Sequence, residues 1–181
     1  MKNNYNTLLR GLMLLVLLAC NLAVSAQTIK ASNTNSKLTF DGEHAGMPFS
    51  GIFEQWQSTL TLPPSQPASI IATFVLSSAK TGDWTYDSTL PEADWFDIAQ
   101  YPTGKFISSS MSTTPQGFDV SGELTLRGIT KPVKFSLLGS LENGFTANIT
   151  IDRLMFDIGK ESDPDAQWVS RDIGLSLSIH P

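Results

Sequence analysis

Residues 118–137 read FDVSGELTLRGITKPVKFSL, and apolar side chains occupy every second position in most of this stretch. The alternation runs from Phe118 to Leu124 and resumes after Pro132. An apolar period of two residues is typical of a β-strand with one buried face. Gly128 permits the backbone conformation of a tight turn. The stretch therefore predicts strands that meet at a turn.

The same period recurs along most of the chain and predicts about eight strands in total. Residues 69–76 are apolar on both faces, which predicts a strand covered on each side. Short turn-like segments at 113–117 and 141–144 join later strands, so these neighbours are expected to pair antiparallel as hairpins. Many antiparallel strands in one domain must close or stack to hide their edges, which predicts an all-β barrel or sandwich.

Two features depart from the alternation. Residues 91–98 begin with proline, carry acids early and include Trp95 and Phe96, which predicts a short helix at the barrel mouth. Arg153 lies in an apolar stretch and is predicted to form a structural ion pair, with Asp157 or Glu123 as its partner.

Residues 1–26 are predicted to be a signal peptide. A polar segment with basic residues leads into the apolar run 12–19, which is too short to span a bilayer. The small residues of Val24-Ser25-Ala26 suit signal peptidase, so cleavage is expected after Ala26. Residues 27–181 would then be one domain, exported to the periplasm.

A competing cleavage site lies earlier in the chain. Leu17-Leu18-Ala19-Cys20 reads as a lipobox, which would leave Cys20 as an acylated membrane anchor. Cys20 is the only cysteine, so a domain cut after Ala26 has no disulfide and no thiol nucleophile.

The charge balance restricts the partners. The whole chain has a formal net charge of −5, and removal of Lys2 and Arg10 with the signal peptide makes it −7. An acidic domain without a basic cluster argues against nucleic acid and against anionic lipid headgroups. The expected partner is neutral or apolar.

Few side chains are available for chemistry. His44 and His180 are the only histidines, whereas a hydrolytic triad normally needs one as its base. A zinc site would need Asp41 and Glu43 beside His44, but on a strand the two acids face away from the imidazole. No dinucleotide fingerprint or phosphate-binding glycine loop occurs. No catalytic residue, metal site or cofactor is predicted.

The segment GELTLRGITKPV at residues 122–133 resembles the signature of the YceI-like family of periplasmic polyisoprenoid-binding proteins. Three further stretches agree in order and spacing, at residues 40–53, 94–106 and 153–159. Many relatives carry a basic residue and a histidine where this chain has residues 87–92, and Trp95 replaces a phenylalanine. Without this basic residue and histidine, a pyrophosphate headgroup would lose cationic contacts.

The resemblance implies a single lipocalin-like antiparallel β-barrel with one or two short helices and no catalytic residues. An elongated internal cavity would hold a long isoprenoid or fatty chain. The aromatic residues alone suggest an ordinary filled core, whereas the resemblance favours cavity lining for part of them. The candidate ligand-binding residues are Phe49, Phe53, Phe74, Trp95, Phe96, Phe106, Phe118, Phe135 and Phe156.

The expected function is therefore that of a periplasmic binding or carrier protein for a polyisoprenoid, an isoprenoid quinone or a fatty chain. One alternative is an enzyme acting on a lipid or quinone head, with His44 beside Asp94 or Asp97 at the barrel mouth. Another is a docking module for a membrane b-type cytochrome, which would need an apolar patch outside the barrel instead of a cavity. A homodimer is a further expectation.

Overall fold

The structure is a computed structural model that describes residues 27–63 and 67–180. The predicted signal peptide and Cys20 lie outside the described residues. The described chain is mostly β-strand, with one α-helix and two short 3₁₀ helices. The elements are β1 (Gln27–Ser32), β2 (Lys37–His44), β3 (Met47–Phe53), β4 (Trp56–Leu62), β5 (Ser69–Val75), η1 (Leu76–Ser78), β6 (Ala79–Lys80), α1 (Trp84–Thr89), β7 (Thr103–Thr114), β8 (Gly117–Leu126), β9 (Ile129–Ser140), β10 (Gly144–Asp152), η2 (Arg153–Phe156) and β11 (Asp172–Ile179).

The strands form one antiparallel sheet in the order β1-β4-β5-β7-β8-β9-β10-β11-β2-β3-β6. β3 and β4 lie near opposite ends of this order, yet only residues 54–55 separate them in the chain. This short connection is hydrogen-bonded along its length, since Val75 at the end of β5 donates to Gln55 (2.9 Å) and Glu54 donates to Ser78 before β6 (3.0 Å). The two-residue connection brings the ends of the order close together, so the sheet curls into a half-barrel, which agrees with the predicted barrel-like all-β fold.

The structure has eleven strands, so the predicted number of eight is wrong. β6 has only two residues, which is too short to show an alternation. β3 and β4 follow each other through a bend and pair with different neighbours, so they count as two strands. β1 adds an edge strand beyond β4.

Tight turns connect the strands at what we call the upper end of the barrel. Arg127 and Gly128 have φ values of 48° and 72°, and they join β8 to β9 with Leu126 paired to Ile129. Two consecutive residues with positive φ make the hairpin turn whose twist matches that of the strands. Ala45 and Gly46 join β2 to β3 in the same way. The long connections 81–102 and 153–171 also lie at this end.

The α-helix lies before the predicted one. α1 spans Trp84–Thr89, while residues 91–98 are turns. The Asp83 carboxylate caps α1, accepting hydrogen bonds from the backbone of Thr85 (2.8 Å) and Tyr86 (3.4 Å). Proline often follows a helix end, because it cannot continue the helix. Pro91 thus ends this helical segment, so the predicted helix at 91–98 is wrong.

Side-chain burial differs between the lower end of the barrel and its outer face. The lower end of the barrel is filled by side chains that are at most 2% exposed, namely Leu60, Val120, Leu137, Phe145 and Ile179. The strand at 69–76 is not covered on both faces as predicted, since Ile71 is 48% exposed on the outside. Within the described residues, no helix is long and apolar enough to cross a membrane.

Candidate functional site

A narrow cavity of about 130 Å³ lies inside the curled sheet, above the filled lower end. Its wall exposes apolar atoms only. Strands from the whole circumference contribute, and the long upper connections close the top. The lining residues are Leu38, Phe40, Phe49, Phe53, Trp56, Ile70, Ala72, Phe74, Leu90, Trp95, Phe96, Phe106, Leu124, Leu126, Val133, Phe135, Ile149, Ile151, Arg153, Ile158, Val169, Ile173, Leu175 and Leu177.

Seven of the nine predicted ligand-binding residues line this cavity. They are Phe49, Phe53, Phe74, Trp95, Phe96, Phe106 and Phe135. Phe118 instead packs against Phe145 near the lower end, with ring centroids 6.2 Å apart. Phe156 is buried in η2 at the upper connections and does not reach the cavity wall.

Phenylalanine rings lie against glycines on neighbouring strands. Phe40 is directly paired with Gly51, and Phe74 with Gly104. A Cβ atom at either glycine would run into the ring of its phenylalanine. Because glycine has no side chain, each ring can lie over the neighbouring strand instead of pointing across the barrel. This packing leaves the centre of the barrel empty.

Aromatic contacts connect these rings along the cavity wall. The Phe53 ring lies 5.4 Å from that of Phe40, 5.2 Å from that of Phe74 and 6.4 Å from that of Phe96. Phe106 contacts Phe135 at 5.4 Å on another part of the wall. Tilted aromatic pairs at these distances are favourable. The wall is therefore a preformed apolar surface.

Arg153 holds the connection 153–171 that closes part of the top. Its side chain is 1% exposed and pairs with Asp163 at 2.7 Å. It also donates to the carbonyls of Ile158 (2.6 Å) and Val169 (3.0 Å), two residues that line the cavity. The structural ion pair is thus present, but the predicted partners Asp157 and Glu123 are wrong.

The Asp163 carboxylate is the acidic half of this arrangement. Burial alone would raise its pKa, but backbone hydrogen bonds from Val169, Gln167 and Trp168 and the charge of Arg153 outweigh burial, so the pKa lies below its usual 3.8. Burial lowers the pKa of Arg153, and Asp163 counteracts that shift. The folded connection therefore favours an ionised Asp163.

These contacts predict a loss of stability in acid. A carboxylate whose pKa is lowered by folding stabilises the protein above its unfolded pKa, and that contribution is lost as the pH falls through the folded value. We expect the urea concentration at which half of the protein is unfolded to decrease when the pH is lowered below about 4. In Asp163→Asn the drop should be smaller, whereas the same substitution at exposed Asp165 should leave it as in the wild type. Equal acid sensitivity in all three proteins would contradict this assignment.

The alternative catalytic pair is not formed. His44 Nδ1 lies 2.8 Å from the Tyr86 hydroxyl of α1 rather than beside a carboxylate. Asp94 instead accepts hydrogen bonds from the backbone of Glu161 (2.8 Å) and Ser162 (2.9 Å). Asp97 is buried in the turns before β7. Among the described residues, no three acids or histidines lie close enough together to hold a metal ion.

Several lining residues were not predicted. Among them are Trp56 at the start of β4, and Leu90 and Val169 in the upper connections, where no alternation marks an inward face. Trp56 could have been found from its period of two with Ser58 and Leu60, all of which are buried. Leu90 and Val169 are placed by tertiary contacts of the connections, for which the sequence offers no local pattern.

The chain is similar to several known proteins. A family model described as the YceI-like domain matches residues 29–180. A UPF0312 protein of Pseudomonas savastanoi is 29% identical over 173 residues, which cover 88% of this chain and 90% of the relative. Burkholderia cenocepacia BcnA has a similar structure, with a TM-score of 0.72, 23% identity and coverage of 80% of this chain and 94% of BcnA.

A further similar structure is a polyisoprenoid binding domain from Saccharophagus degradans. Its TM-score is 0.62 at 13% identity, and the match covers 87% of this chain and all of that domain. At such low identity the likeness establishes the fold alone. The family model, in contrast, spans nearly all of the described chain. The chain therefore belongs to the YceI-like family.

Proposed function

We propose that this protein is a periplasmic binding or carrier protein that holds a long apolar lipid in the barrel cavity. The observation that carries the proposal is the cavity itself, whose wall is entirely apolar. A site without charged or polar groups on its surface selects ligands by shape and hydrophobicity. The polyisoprenoid binding of the Saccharophagus degradans domain supports a prenyl or fatty chain as the ligand class.

The energetics favour a long chain. Each buried methylene contributes about 0.8 kcal/mol, so one isoprene unit contributes roughly 3–4 kcal/mol. Association costs about 4–15 kcal/mol, so several units must be buried before binding becomes tight. The formal charge of −7 for residues 27–181 gives no general attraction for an anionic headgroup.

The cavity must widen to take such a chain. Its present volume of about 130 Å³ is small beside the roughly 300–1,000 Å³ of common ligand sites. Phe49, Leu90 and Val169 line the upper part and are only half-buried. These side chains have more freedom to move than the fully buried ones below. We place the ligand entrance at this upper end.

The two alternatives receive less support. A lipid-modifying enzyme would need an ionisable pair at the mouth, whereas His44 contacts Tyr86 and Asp94 caps the connection 153–171. A docking module predicts an apolar patch instead of a cavity, and the barrel has a cavity. The membrane cytochrome partner, the homodimer and the Cys20 anchor stay predictions.

The direct test is native mass spectrometry with lipid extraction on the protein exported by a bacterial host. We expect a co-purified apolar adduct whose extracted mass identifies a prenyl or long acyl chain. The stripped protein should also bind an added prenyl alcohol and unfold at a higher temperature with it. A stripped protein that binds neither prenyl nor fatty chains would refute the carrier function.

A substitution at Ala72 tests whether the chain occupies the cavity. Ala72 lines the wall, and Thr73 is its neighbour on β5 with the opposite orientation. We expect Ala72→Leu to weaken binding of a prenyl alcohol by about 3-fold to 10-fold, because the added carbons occupy ligand space. Thr73→Leu is the matched control and should bind as the wild type does. Equal affinities of the two variants would place the ligand elsewhere.

A further inference from the structure

The pairing between β9 and β10 ends close to the lower end of the barrel. Residues 144–146 of β10 pair with residues 138–140 of β9. Among the described residues, no pair joins the two strands above this point. β9 stays paired with β8, and β10 with β11, up to the upper ends of the strands. We call the unpaired stretch, residues 129–137 of β9 and 147–152 of β10, the seam.

The sequence of β9 suits an unpaired edge. Gly139 donates to Gln116, which lies directly before β8. Because successive residues of a strand point their backbone groups to alternate sides, odd-numbered residues of β9 face β8 and even-numbered residues face the seam. Pro132 is one of the residues that face the seam, and a proline within a sheet is confined to edges because it has no N–H to donate. Exposed Lys134 adds a charge there, which discourages pairing with another strand.

The seam is bordered by the cavity wall. Val133 and Phe135 of β9 and Ile149 of β10 line the cavity, and all three are half-buried. Above the seam, η2 follows β10 directly and lies against β9. Separating paired strands breaks backbone hydrogen bonds. No such pairing joins the described residues on the two sides of the seam, so the wall can open there more easily than between its paired strands.

We propose that the lipid enters and leaves the cavity through the seam between β9 and β10. The inference rests on the proposed function, and it places the entrance of the upper end in the side of the barrel, beneath η2. Movement of β9 away from β10 widens the cavity of about 130 Å³. The buried pair of Arg153 and Asp163, which holds the connection above, stays intact during this movement. The chain then slides in sideways instead of threading through the top.

Hydrogen exchange tests whether the seam is unpaired in solution. The amides of Lys134 and Ser136 face the seam, whereas those of Val133 and Phe135 face β8. After correction for the intrinsic rate of each residue, we expect the first two amides to exchange at least about 100-fold faster than the other two. Equal protection of all four amides would mean that the ladder continues, which would overturn the inference.

A removable bridge tests whether the ligand passes through the seam. Ser136 and Asn148 are exposed, and they would lie opposite each other if the β9–β10 ladder continued. In Ser136→Cys/Asn148→Cys, a flexible bis-maleimide with an internal disulfide joins the two thiols, and mass spectrometry verifies the bridge. We expect uptake and release of a fluorescent apolar dye to slow by at least about 10-fold, while the affinity stays close to that of the wild type. Reduction of the disulfide within the bridge should restore both rates.

The matched control is Asp119→Cys/Ser136→Cys, which carries the same bridge between β8 and β9. These two residues are exposed and already paired. The control bridge should leave both rates unchanged, and equal slowing by the two bridges would overturn the inference. Unchanged rates in the protein bridged across the seam would also overturn it, but an apolar carrier would remain. A wild-type protein that binds neither the dye nor a prenyl alcohol would refute the carrier function, and the inference with it.

Discussion

Replacing Arg153 by methionine is expected to lower the free energy of unfolding by about 3–5 kcal/mol. The substitution leaves Asp163 as a buried, unpaired carboxylate that is 5% exposed. It also removes the donor from the carbonyls of Ile158, Val169 and Ser170. Methionine fills much of the same space, so the loss of the charge and its hydrogen bonds dominates. Urea unfolding of the purified protein measures the change.

Arg171→Met is the matched control for this prediction. Arg171 pairs with Asp152 at 3.3 Å, but its side chain is 56% exposed. Exposed ion pairs contribute about 0–1 kcal/mol, so this variant should stay close to the wild type. Similar losses in the two variants would show that the buried hydrogen bonds of Arg153 do not hold the upper connection.

The ion pair of Arg153 can be predicted from the sequence only in part. An arginine in an apolar strand predicts an ion pair, and the pair exists. Its partner could not be predicted, because Asp163 reaches it through the turns of residues 157–167 and not through any helix or strand period. Nearby Asp157 instead pairs with Lys160 at 2.6 Å.

The strands, in contrast, follow directly from the sequence. Residues 118–137 form the two paired strands β8 and β9, and the turn falls at Arg127 and Gly128. The period of two and the need for positive φ are local properties, so one segment is enough to predict them. The helix was predicted at residues 91–98 instead of 84–89, because the sequence has two signals for a helix start. One is the carboxylate of Asp83 and the other is the proline at position 91. Only the observed hydrogen bonds show that Asp83 starts the helix and Pro91 follows its end.

The cavity could not be predicted from any single segment of the sequence. Inward-facing phenylalanines are as compatible with a filled core as with an open cavity. Whether the centre stays empty depends on which residue lies opposite each ring, and that depends on strand register. Phe74 lies opposite Gly104, thirty residues further along the chain. The sequence contains both residues, but only the folded sheet brings them together.

Gly104 therefore offers the strongest test of how the cavity is kept open. A Cβ atom at position 104 would collide with the Phe74 ring, while the backbone there needs no positive φ. We expect Gly104→Ala to push the ring into the cavity and to weaken binding of a prenyl alcohol by more than about 30-fold. The free energy of unfolding should fall by about 1–3 kcal/mol, because the ring leaves its preferred position.

A second substitution separates the blocked cavity from a damaged fold. Phe74→Leu shortens the side chain that the new methyl group displaces, so the double variant Gly104→Ala/Phe74→Leu should regain most of the binding. If the methyl group acted only by weakening the β7 pairing, the double variant would bind as poorly as Gly104→Ala alone. Dye displacement and urea unfolding on all four proteins give the coupling between the two positions. A coupling close to zero would mean that the ring over Gly104 does not control access to the cavity.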